Sequence, residues 1–64
     1  MKFYLEWDEA ESGKARRSYK TALMEYKEIE RIRKLLVDDK MPGVVIYWKV
    51  YDIRNNLIAK GEVR

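Results

Sequence analysis

Residues 12–38 read "SGKARRSYKTALMEYKEIERIRKLLVD", and the fold follows from the period assigned to them. At 3.6 residues per turn, Ala15, Tyr19, Ala22, Leu23, Tyr26, Ile29, Leu36 and Val37 fall in one apolar stripe, which predicts a single helix over about 13–38. Ser12 serves as its N-cap, because Gly13 would cost about 1 kcal/mol inside a helix. "DDKMPG" closes it, since Pro42 cannot continue a helix and Gly43 permits a turn. About 25 helical residues span ~37 Å against ~27 Å for an eight-residue strand, so one helix end is expected to overhang.

Strands flank this segment on both sides. In "KFYLEWD" (2–8), Phe3, Leu5 and Trp7 alternate with Lys2, Tyr4, Glu6 and Asp8, the pattern of a half-buried strand. After the helix come "VVIYWKVYD" (about 44–53) and "LIAKGEVR" (about 57–63), joined by a hairpin. A two-residue Asn55-Asn56 turn sets Trp48 opposite Val63, Val50 opposite Gly61, Lys49 opposite Glu62 and Ile53 opposite Ile58. Moving the turn to Arg54-Asn55 sets Lys49 against Lys60, which like-charge repulsion disfavours. Val44, Val45 and Ile46 lack alternation, which places them at the sheet centre or on an edge buried by a partner. The expected fold is α+β: one β-α-β-β domain over 1–64, with a three-stranded sheet and one long helix packed across one face. If the first two strands are parallel, their connection is a right-handed crossover.

Composition narrows the function. Sixty-four residues make a small domain with a thin stability margin, and such domains often gain a disulfide, a metal or a second subunit. With Cys 0 and His 0, disulfides and the usual zinc and transition-metal ligand sets are excluded, which leaves oligomerisation. No imidazole or thiol is present to transfer protons near neutral pH or to act as nucleophile, so a non-enzymatic protein without a cofactor is expected. The net charge of +3 and pI near 9.3 permit an anionic partner. The longest apolar run, "GVVIYW", is too short for a membrane span, and the acidic turn in "MKFYLEWDE" argues against a signal peptide, so a cytoplasmic location is the default.

Four features bear on binding. With the helix over Phe3, Leu5, Trp7, Ile46, Trp48 and Val50, the other sheet face shows Tyr4, Tyr47 and Tyr51 among Lys2, Lys49, Lys60 and Arg64. Aromatics interleaved with cations suit unpaired bases and their phosphates, in RNA or DNA. The helix carries a basic stripe of Arg16, Lys20, Lys27, Arg31 and Lys34, spaced to follow a phosphate backbone. Lys14, Arg16 and Arg17 crowd the expected helix N-terminus against the macrodipole, an arrangement that an anion bound there would relieve. Met24, Ile32 and Leu35 line up off the core stripe, as an interface for a second copy or another protein would. Arg33 sits inside the core stripe and is expected to snorkel past the sheet edge or to pair with Asp52 or Glu6.

Each feature also has a plain explanation as solvated surface. Two functions follow: a module for single-stranded nucleic acid, or a regulatory protein that docks on a partner or on itself. A structural or designed domain without a ligand is the third reading.

Overall fold

The computed structural model describes residues 1–64, ordered as β1 (Phe3–Glu11), β2 (Arg17–Lys20), α1 (Tyr26–Asp38), β3 (Val44–Asp52) and β4 (Leu57–Val63). The class is α+β, with one helix on a four-stranded antiparallel sheet of order β2-β1-β3-β4. The expected three strands are therefore four, and the expected long helix is a hairpin strand followed by a helix of 13 residues. At 1.5 Å per residue α1 is ~20 Å long, shorter than the ~30 Å of a nine-residue strand, so the expected overhang is absent.

Residues 12–25 leave the helix for identifiable reasons. Gly13 adopts φ +78°, which an L side chain rarely tolerates, and the Lys14 amide donates to the Glu11 carbonyl (3.1 Å), closing a turn. Beyond the turn, Tyr19 stacks on Trp7 with ring centroids 5.2 Å apart, and the Ser18 hydroxyl donates to Asp8 (2.7 Å). Thr21 then joins the chain back to β1: its amide donates to the Leu5 carbonyl (2.9 Å), and its hydroxyl oxygen accepts from the Leu5 amide (3.0 Å). Met24 makes a reciprocal pair of backbone bonds with Phe3, both 2.8 Å. These bonds satisfy backbone groups that a helix would otherwise have paired internally.

With the helix starting at Tyr26, its phase changes. Ile29 is fully buried, and Ile32 and Leu36 pack beside it against Leu5 and Val50. Met24 and Ile32, expected as an exposed interface, lie against this core, while Leu35 alone of that trio is exposed. Leu23, Tyr26 and Val37, expected inside, are exposed, because residues 15–23, which contribute to the phase of the apolar stripe, are not helical. Arg33 meets neither Asp52 nor Glu6. It pairs with Glu30 and lays its guanidinium over the Trp48 ring at 4.8 Å, covering an aromatic that the helix leaves half-buried.

β3 is an interior strand, flanked by β1 and β4, which accounts for the unbroken apolar start at Val44–Ile46. Its pairing with β1 is antiparallel, so no crossover arises. The β3–β4 register also differs from expectation: Trp48 faces Gly61, Val50 faces Ala59, Ile46 faces Val63, and Lys49 faces Lys60. The turn decides this. The Asp52 carboxylate accepts from the amides of Arg54 (2.8 Å) and Asn56 (2.9 Å) and from the Asn56 side chain (3.1 Å), and Asn55 takes φ +65°. The loop is thus the three residues Ile53–Asn55, with an irregularity that leaves Ile58 unmatched between the Tyr51–Leu57 and Val50–Ala59 pairs.

Gly61 fixes the same register from the side-chain layer. A Cβ there would lie 2.6 Å from Cζ2 of Trp48, so the indole occupies the space that only glycine leaves open on an edge strand. No helix of the protein is long and apolar enough to cross a membrane.

Candidate nucleic-acid interface on the open sheet face

Strand alternation projects the residues of interest away from α1. β1 contributes Tyr4, Glu6 and Asp8, β3 contributes Tyr47, Lys49 and Tyr51, and β4 contributes Lys60 and Glu62. β2 adds Ser18 and Lys20, which stand opposite Asp8 and Glu6. Arg16 precedes β2 and reaches over the same surface.

The face is organised by aromatic–cation contacts. Tyr4 and Tyr51 stack with centroids 5.1 Å apart, and Lys20 Nζ lies 4.6 Å from the Tyr4 centroid. Tyr51 on β3 and Lys20 on β2 thus both lie against the Tyr4 ring, so Tyr4 ties the two flanking strands of this face together. Its hydroxyl donates to Asn55 Oδ1 (2.7 Å). Partial desolvation first, and then the charges of Glu6, Tyr51 and Asp52, hold its phenol above the ordinary pKa, so it stays a donor.

At the other end of the face Arg16 lies 5.0 Å from the Tyr47 centroid and pairs with Asp8 at 3.6 Å. Arg64 pairs with Glu62, whose hydrogen bond holds the guanidinium pKa above its ordinary value. Between these groups stand Lys49 and Lys60, directly opposite each other and within 4 Å of no carboxylate. Like charges in this position are destabilising. Two shallow depressions adjoin them: one of about 400 Å³ includes Arg16, Ser18, Tyr47 and Lys49, and one of about 330 Å³ includes Tyr47, Lys49, Lys60 and Gly61.

The basic residues expected along one helix are divided by the fold. Arg16 and Lys20 join the tyrosines, whereas Lys27 and Arg31 stay with Lys34 on α1, on the far side of the sheet. Lys2 is drawn off by Glu25 at 3.2 Å. The expected anion site at the helix N-terminus loses its basis, because Lys14, Arg16 and Arg17 lie in the β1–β2 hairpin. There Lys14 pairs with Glu11 (3.4 Å) and Arg17 stands opposite Glu9. Sequence reasoning placed Asp8 on the polar face of the first strand but missed Ser18, which stands opposite it. The signal for Ser18 was the alternation of Arg17 and Tyr19 with Ser18 and Lys20, too short to outweigh a helical stripe.

A second concave region, about 210 Å³, lies at the C-terminal end of α1, lined by Trp7, Ile32, Leu35, Leu36, Met41 and Ile46 among others. The Trp7 indole Nε1 is buried beside it without a hydrogen-bond partner.

No protein-family model matches the chain, and no curated protein or solved structure matches it at a significant level.

Proposed function

We propose that the chain is a small non-enzymatic binding module that holds single-stranded nucleic acid on the open face of its sheet. The observation that carries this reading is the Lys49–Lys60 pair, set side by side on β3 and β4, flanked by Tyr47 and Tyr51 and in ion-pair contact with no carboxylate, although Glu6 stands opposite Lys49 on β1. Folding alone favours an opposite-charge pair at that position, and a backbone phosphate supplies the missing charge. Tyr47 and Tyr51 provide the aromatic surface for adjacent bases, and Arg16 and Lys20 extend the positive track toward β2. Across the face five cations (Arg16, Lys20, Lys49, Lys60, Arg64) stand against three carboxylates (Glu6, Asp8, Glu62), a modest excess suited to weak, sequence-tolerant binding.

The test is titration of fluorescent single-stranded DNA and RNA at two salt concentrations. Lys49→Ala with Lys60→Ala should weaken binding and flatten its salt dependence by about two phosphate contacts. Tyr47→Ala with Tyr51→Ala should weaken it at every salt concentration, by about 1–3 kcal/mol for each base that stacks. Affinity unchanged in both double variants would overturn the reading. Docking on another protein is the second reading, favoured by the apolar cleft beside Leu35 and Met41.

A further inference from the structure

The outer edge of β4 has a self-complementary sequence, and from it we infer that two copies of the chain pair through this edge into one continuous eight-stranded sheet. β4 is hydrogen-bonded to β3 on one side only, so its other edge presents unpaired backbone groups along seven residues. This surface is distinct from the cleft at the end of α1, and the inference does not depend on nucleic-acid binding.

The register follows from charge. In a two-fold antiparallel pair, facing residues must share a sheet face, so the axis passes through one residue position of β4. An axis at Lys60 would set two lysines opposite each other, and one at Glu62 would set two glutamates opposite each other. An axis at Gly61 sets Lys60 of each copy against Glu62 of its partner, twice, and Ala59 against Val63, twice. This register overlaps the two strands from Ile58 to Arg64. A lone lysine on an edge strand blocks pairing with other chains. A glutamate two residues further on turns that block into selection for one register.

Gly61 gives a second, independent reason. Trp48 lies over it so closely that no Cβ fits, yet the indole is still half-buried at the sheet margin. With the axis at Gly61, strands ~4.8 Å apart bring the two Trp48 indoles side by side on the helix-bearing side of the sheet, where each covers the other's remaining exposed edge. A domain with four buried side chains gains a larger apolar layer in this way. One edge strand per copy buries less than a standard interface of roughly 1,600 Å², so the dimer is concentration-dependent.

Sedimentation or light scattering of the protein without nucleic acid, from about 5 µM to about 1 mM, tests this. The wild type should pass from monomer to dimer in that range. K60E and E62K should each stay monomeric throughout, because each places like charges at both cross-strand pairs. An equimolar mixture of the two should recover the wild-type dimer, since the reversed charges are complementary across the mixed pair. Far-UV circular dichroism checks that the variants fold. Should either unfold, the doubly reversed chain K60E/E62K restores every pair and should dimerise like the wild type.

A wild type that is monomeric at 1 mM overturns the inference. So does a dimer that persists equally in both single variants, or a mixture that stays monomeric. Binding by the open face is read separately, by titration at protein concentrations below those of dimerisation, where Lys60 has no Glu62 of a second copy beside it.

Discussion

The two faces of the sheet are built from the same strands and held by different forces. Between α1 and the sheet, Leu5, Ile29, Ile46 and Val50 are buried and Trp7, Trp48, Phe3 and Met24 close around them. On the open face nothing is fully buried, and order comes from stacked tyrosines, cations over rings and exposed ion pairs. Burial contributes about 25 cal/mol per Å² of apolar surface and is insensitive to salt, whereas exposed ion pairs contribute roughly 0–1 kcal/mol each and are screened. Stability therefore rests on one face, which leaves the other free to carry a repulsive pair such as Lys49–Lys60.

The sharpest way to break this contrast is Leu5→Ala. Leu5 is fully buried between Ile29 and Val50, and the lost methyl groups plus the residual cavity should cost roughly 2–5 kcal/mol. For a domain of this size that is most of the total stability, so the expected outcome is loss of the cooperative thermal transition. Single open-face substitutions, such as Lys60→Ala, should stay within about 0.5 kcal/mol of the wild type. Similar losses on both faces would refute the division.

Gly61→Ala probes the margin between the faces. The new methyl would meet the Trp48 ring, and displacing the indole should cost about 1–3 kcal/mol, read from the denaturant midpoint together with a shift in tryptophan emission. An unchanged midpoint would mean that the ring is loosely held.

The smallest effect concerns Asp52, which sets the β3–β4 turn from the end of β3. The Asn56 amide, its side chain and the Arg54 amide hold this carboxylate below its ordinary pKa against a lesser opposing desolvation, so the charged form is favoured in the folded state. A group with a depressed folded pKa contributes fully above its unfolded value, about 3.9, and loses that contribution as pH falls through the folded one. Thermal unfolding should show a small loss of stability below pH 4, and Asp52→Asn should diminish that pH step.

Legibility followed the strength of alternation. In β1 and β3 large apolar residues alternate with polar ones, and the faces of Leu5, Trp7, Ile46, Trp48 and Val50 could be read from that pattern, as could those of Tyr4, Tyr47, Lys49 and Tyr51. β2 is four exposed residues, and Tyr19 and Ala22 fitted a helical stripe as well as they fitted anything else. Assigning 12–25 to the helix then rotated its whole phase, which moved Met24 and Ile32 outward and Tyr26 and Val37 inward. It also joined Arg16 and Lys20 to Lys27 and Arg31, which the fold places on the other side of the sheet. The Lys49–Lys60 pair was unfavourable on pairwise charge, but three hydrogen bonds to Asp52 and the seat of Trp48 on Gly61 outweigh one solvated repulsion.

By itself the sequence determined an α+β chain with one amphipathic helix, two strong strands whose core and solvent faces follow from a period of two, and a hairpin near Asn55. These are local properties, set by residues within a few positions of one another. The tertiary structure alone decided that Arg17–Lys20 is a strand, that β3 lies between β1 and β4, and that Arg16 and Lys20 share a face with Tyr47 and Tyr4. Those outcomes depend on Thr21 reaching Leu5, Tyr19 reaching Trp7 and Trp48 reaching Gly61, contacts between distant residues whose energies no local period encodes.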